Sequence, residues 1–230
     1  MVDSYTMKFL PLLKLSLFCV LAAVLNYIVS VFCLYVLKTP LFVDTVFTVA
    51  VTFTAGLVPG LVTALLTSLI GEIMVNSLSP FVLCAFAEIF IVWLFTRKKR
   101  GAQDNSQLKQ CAQLKQRAQL KQSAAVSGIL IKLMMLYITA CFAVSILGGV
   151  IEYIYHSVLA APKLFFSAED MFKIGFLKGD IHILGVNILS RIPVNLVDRF
   201  IVIFGGYFIS IPVKKILKEG GGKSSKNIRH

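Results

Sequence analysis

The sequence predicts an all-α integral membrane protein, a six-transmembrane-helix bundle with both ends in the cytoplasm. Two features of the composition and one of the charge pattern lead there. The chain is 57% hydrophobic with a mean hydropathy of +0.84, against roughly 45–50% apolar residues in soluble domains. It carries 18 Phe and only 11 acidic residues in 230. Its net charge of +12 is concentrated in two short segments beside apolar stretches, the pattern of a membrane protein rather than a nucleic-acid binder.

A bilayer core of roughly 30 Å needs about 20 apolar residues per helix. Apolar stretches at about 12–37, 41–56, 58–77, 79–96, 126–151 and 190–213 meet or approach that length. The second is short, bounded by Thr39-Pro40 before it and by Gly56, Pro59 and Gly60 after it, residues that end or start helices. Lys8 and Lys14 precede the first stretch as they would in a signal peptide. That stretch is too long for a signal core and no A-x-A site follows, so it is expected to stay as a helix.

Loop charge sets the expected orientation. Residues 97–125 hold eight Lys/Arg against Asp104, a net of +7, and Lys214 to His230 hold six against Glu219, a net of +5. Segment 152–180 has four acids against Lys163, Lys173 and Lys178, a net of −1. Basic loops stay cytoplasmic, which places 97–125 and the tail 214–230 inside and 152–180 outside. Within that external segment, Leu164, Phe165, Phe166 and Phe172 alternate with charges, suiting a stretch that lies on the outer surface or caps the bundle. The basic loop carries three copies of a QLKQxA repeat from Gln107. Its period of six fits no helical stripe, so a tandem duplication is the expected reading rather than a docking element.

Chemistry is sought among polar groups in the spans, where hydrocarbon makes them costly. Glu72, Glu88, Lys132, Arg191, Asp198 and Arg199 are the ionisable ones. Lys132 is close enough to a helix end to snorkel, and Glu88 needs a partner or water. Pro193 is expected in the first turn of the sixth helix. Asn195, Asp198 and Arg199 follow at i, i+3 and i+4, on one face. Glu72 and Asn76 reach a similar outer depth from the third helix. Glu72, Asn76, Arg191, Asn195, Asp198 and Arg199 are thus candidates for a solute pocket. Structural ion pairs such as Asp198–Arg191 or Glu72–Arg199 are the competing reading. On the first helix, Cys19, Ala23, Asn26 and neighbouring small residues form a stripe narrow enough for another helix, of this bundle or of a partner.

Of the five cysteines, four lie inside apolar runs and none forms a C-x-x-C pair, so neither disulfides nor a metal site is expected. No H-E-x-x-H, G-x-S-x-G or G-x-x-x-x-G-K-[ST] motif occurs, and the chain is expected to be neither an enzyme nor a cofactor carrier.

Phe42-Val-Asp-Thr-Val-Phe-Thr-Val-Ala50, Gly56-Leu-Val-Pro-Gly-Leu-Val-Thr-Ala64 and Pro193-Val-Asn-Leu-Val-Asp198, in that order and with this topology, resemble the substrate-binding S component of an energy-coupling factor (ECF) transporter. The last segment is similar to the P-x-N-x-x-K of riboflavin-type members, with Asp198 where they have Lys. The resemblance covers most of the chain apart from the 97–125 loop and the tail. It implies a vitamin-like solute bound near the outer face, and a separate transmembrane subunit with two ATPases that drives release. Family members dock through Ala-x-x-x-Ala on the first helix. Here Cys19-x-x-x-Ala23 and Ala22-x-x-x-Asn26 stand in that place. The resemblance thus implies a cytoplasmic-membrane location, with lipid but no nucleic acid as a partner. A membrane sensor or a self-sufficient solute transporter are the other classes the residues leave open.

Overall fold

The computed structural model describes residues 3–36, 43–75, 80–97, 114–158 and 181–222, together with Lys173 and Phe176. Every regular element among them is helical. They are α1 (Asp3–Val31), α2 (Val46–Ala55), α3 (Leu57–Val75), α4 (Val82–Thr96), α5 (Leu114–Glu152) and α6 (Ile183–Gly222). Wider π-helical turns extend α1 over Phe32–Val36 and α5 over Tyr153–Val158.

Three helices are long and apolar enough to cross a membrane, over Leu57–Met74, Ser127–Tyr155 and Ile183–Ile216. The apolar parts of the others are shorter, at Leu15–Val31, Val46–Ala55 and Val82–Thr96. At 1.5 Å per residue, the ten residues of α2 reach only about 15 Å, half a bilayer core. The burial pattern fits a protein that sits in lipid. Leu17, Leu69, Phe90, Met135, Phe142 and Phe208 face outward, whereas Asn26, Thr48, Glu88, Ser145, Asn195 and Asp198 are buried. A soluble bundle would expose the second set and hide the first.

Helix α2 is the hub, in contact with α1, α3, α4 and α6. Five consecutive side chains, Thr48 to Thr52, are buried, as expected of a helix that is apolar all round. Its hydroxyls cost little there, because Thr52 and Thr54 donate to the carbonyls of Thr48 and Ala50 at 2.9 and 2.7 Å. Gly56 turns the chain sharply into α3 with φ 96°, its N–H donating to Thr52 O at 3.1 Å. Only glycine adopts that φ without strain. Val46 and Val49 then meet Val92 of α4, Leu136 and Ala140 of α5, and Val202 and Ile203 of α6 in the main apolar core.

Where α5 crosses α6 the backbones nearly touch. A Cβ added to Gly149 would lie 2.6 Å from Ile188 Cγ1 and 2.8 Å from Ile188 Cα, and a backbone atom cannot swing aside. We expect Gly149→Val to cost more than the roughly 1–3 kcal/mol of ordinary overpacking, read as a lowered thermal midpoint in detergent. Gly128→Val, at a glycine with open space around it, is the control expected to leave that midpoint unchanged.

Two expectations about element boundaries are corrected. The last helix begins at Ile183, not near 190, because residues 183–189 are mostly apolar and contain no proline to stop the helix, Gly185 and Asn187 being accommodated within it. Pro193 therefore sits inside α6, as does Pro212, a position membrane helices tolerate where the freed backbone groups find other partners. Helix α5 begins at Leu114, so the second and third QLKQxA copies are mostly helical. Gln, Leu, Lys and Ala are all good helix formers, and a period of six prevents an apolar stripe but not a helix. The first copy lies outside the described residues, as does residue 223 onward of the tail.

Candidate functional site

One face of α6 carries a polar stripe. Arg191, Asn195 and then Asp198 with Arg199 recur at helical spacing; Arg191, Asn195 and Arg199 each find a partner on another element, and Asp198 pairs with Arg199 beside it. At the upper end Arg191 donates to Glu152 Oε2 of α5, from Nη2 at 3.1 Å and from Nε at 3.3 Å. Its guanidinium also lies 4.8 Å from the centroid of the Phe81 ring, just before α4, a cation–π geometry. Lys173 pairs with the other oxygen of Glu152. That pair ties part of the 152–180 segment to the bundle, although most of the segment lies outside the described residues. One turn further along, Asn195 Nδ2 donates to Ser145 Oγ at 2.9 Å.

The lower end is an ionic cluster at the centre of the fold. Arg199 is at the midpoint of the apolar stretch Ile183–Ile216. Its Nη1 meets Glu88 Oε2 of α4 at 2.5 Å, and its Nη2 meets Asp198 Oδ2 at 2.6 Å. Nη1 also donates to Thr45 Oγ1 at 3.2 Å. Thr45 is the residue before α2, and its side chain serves Arg199 instead of capping its own helix. Asp44 beside it is within electrostatic reach of Arg199, Asp198 and Glu88. Glu88 and Asp198 are completely removed from solvent, at 0% exposure. Two of their oxygens, Glu88 Oε1 and Asp198 Oδ1, have no hydrogen-bond partner.

The sequence-derived candidates therefore divide. Asn195, Asp198 and Arg199 share a buried face, and Arg191 joins the same stripe two turns away. Glu72 is half-buried on α3 and, among the described residues, joins neither cluster. Asn76 lies outside the described residues. Among the described residues Arg199 pairs with Glu88 and Asp198, and Arg191 with Glu152, where Glu72–Arg199 and Asp198–Arg191 were expected. Reading α6 from residue 190 put Arg199 too near a helix end. With the start at Ile183 it sits at mid-depth, level with Glu88 at the middle of α4. Glu88 was legible as an intramembrane acid in need of a partner; Asp44, an acid inside the expected span 41–56, offered the same signal and was missed, whereas Thr45 offered none. Lys132 is exposed, consistent with snorkelling.

The first-helix stripe is also placed. Cys19, Ala22, Ala23 and Asn26 are buried against the chain's own helices. Cys19 and Ala22 pack with Val51. Asn26 donates to Thr48 Oγ1 at 2.7 Å and Thr67 Oγ1 at 3.2 Å, and accepts from Phe47 N at 2.9 Å. Small side chains here let α1 approach α2 and α3 rather than a partner helix. Among the described residues no group of His, Cys, Asp and Glu is arranged to hold a metal ion. No family model, curated protein or solved structure matches the chain.

Proposed function

We propose that the chain is the substrate-binding membrane subunit of an ECF-type importer, taking up a vitamin-like or similar small polar solute. The observation that carries this reading is the polar stripe of α6, which places charged and amide groups inside an otherwise apolar bundle. Such groups are costly in lipid and cluster along solute pathways. In this reading all six helices cross the cytoplasmic membrane, both ends lie inside, and the chain performs no catalysis. A separate transmembrane subunit and two ATPases complete the importer. The resemblance of the α2, α3 and α6 segments to S components supports the choice of family.

Affinity purification of the tagged full-length chain in mild detergent tests it. Recovery of a transmembrane subunit with two ATPases is the expected result; a signalling partner, or the chain alone, overturns it. The second outcome would point to a self-sufficient transporter. The inward-turned α1 stripe favours that second reading, because its small residues are already covered by α2 and α3.

Orientation is tested separately. In a cysteine-free background an impermeant maleimide applied to intact cells is expected to label a cysteine placed at Ala168 and to spare one at Gln110. The opposite labelling pattern overturns the orientation.

A further inference from the structure

Glu88, Asp198 and Arg199 do not balance. Two carboxylates face one guanidinium, so the fully buried trio carries a formal −1. Asp44, partly buried beside it, is a further acid within electrostatic reach of the trio. An uncompensated charge in a low-dielectric interior is strongly unfavourable. The hydrogen bonding is incomplete at the same place: Glu88 Oε1 and Asp198 Oδ1 are both buried acceptors without a donor. One deficit is of charge and the other of donors, and a single proton eases both. Bound to either carboxylate it makes the trio neutral and turns a bare acceptor into a donor.

From this we infer that Glu88 and Asp198 together hold one exchangeable proton against Arg199, making the centre of the bundle a proton-binding site. Arg199 is the fixed counter-charge, held by Glu88, Asp198 and Thr45 on three elements. Among the described residues the other titratable groups nearby are Cys33 at the end of α1, Cys84 on α4 and Cys141 on α5, with Arg191, also within electrostatic reach of Cys84, held with Lys173 on Glu152 two turns away. All three cysteines are buried, and a neutral thiol adds no charge to the trio. The stripe from Arg191 to Arg199 spans eight residues, about 12 Å of helix. Asn195 and Ser145, both buried and joined by a hydrogen bond, sit between. Nothing is oxidised or reduced: a carboxylate takes the proton from water and later returns it.

The inference goes beyond the importer reading and does not depend on partner subunits, because it is tested on the isolated full-length chain. Infrared difference spectra in lipid nanodiscs, in H2O and D2O, report carboxylic acids directly. At neutral pH the wild-type chain is expected to show a buried carboxylic-acid C=O band that shifts in D2O and disappears on alkalinisation. Glu88→Gln and Asp198→Asn should each abolish it, since the trio then holds one carboxylate against Arg199, whereas Asp44→Asn should keep it; loss of the band in Asp44→Asn would assign the proton to Asp44 and overturn the inference. Either of the first two variants imitates the protonated group and should keep the wild-type thermal midpoint. Spectra of the wild-type chain with carboxylate bands only would overturn the inference, whatever the variants do; a cation bound between two ionised carboxylates would give that result. A band that persists in folded Glu88→Gln and Asp198→Asn would also overturn it.

Discussion

Arg199→Ala is expected to lower stability by about 3–5 kcal/mol, the range for breaking a buried ion pair from one side. The cost is not the lost attraction alone. Glu88 and Asp198 would stay buried without the cation that serves them, and Thr45 would lose the donor at 3.2 Å. Arg199→Lys should recover only part of the loss. A guanidinium offers two Nη groups, directed here at Glu88 and at Asp198, whereas an ammonium is a single point charge. Thermal unfolding in detergent, followed by retention of the monodisperse peak, measures both variants. Coupling provides the sharper test. Glu88→Gln removes one of the stranded charges, so Arg199→Ala should cost less in that background than alone, a non-additivity expected of residues in one network. Equal costs in the two backgrounds would mean that Arg199 is held by packing rather than by charge.

The helical class and its apolar exterior were legible because hydropathy over 15–20 residues is a bulk property, read without knowing any contact. The buried face of α6 was legible for a related reason: Asn195, Asp198 and Arg199 stand at spacings that only a helix brings together. What sequence could not supply was the partner. Glu88 is 111 residues from Arg199, and any intramembrane acid could have met it. Depth decided the matter, and depth was misjudged by the seven residues of α6 that precede Ser190. The α1 stripe shows a second limit. Small residues at alternating spacings of three and four state that some helix comes close, but not whose. Asn26 could have tipped that reading inward, because an amide in lipid requires hydrogen bonds and its own bundle offers the nearest threonines.

Asn26→Leu is expected to destabilise the fold by roughly 2–4 kcal/mol, because one amide joins three helices. Its oxygen accepts from the Phe47 N–H, in the first turn of α2, at 2.9 Å. That N–H has no partner within its own helix, since the first four donors of any helix lack one. Thr45, which precedes α2, makes no side-chain cap, so the cap comes across the bundle from α1. Removing it leaves a buried backbone donor unmet, at about 1–3 kcal/mol. The two bonds from Nδ2 to Thr48 and Thr67 contribute less, on the order of 0.6 kcal/mol each by the average for interhelical bonds in membranes. Both threonines can still serve themselves or their helices, as Thr67 does by donating to Thr63 O at 2.9 Å. The orphaned N–H should therefore dominate. Asn26→Asp, which keeps an acceptor for Phe47 and, once protonated, at most one of the two donated bonds, separates the contributions, although it adds a buried charge when ionised. At a pH low enough to protonate that carboxyl, Asn26→Asp should be more stable than Asn26→Leu in thermal unfolding. Equal midpoints for the two variants there would assign the effect to the contacts with Thr48 and Thr67 and remove the cross-helix cap from the account.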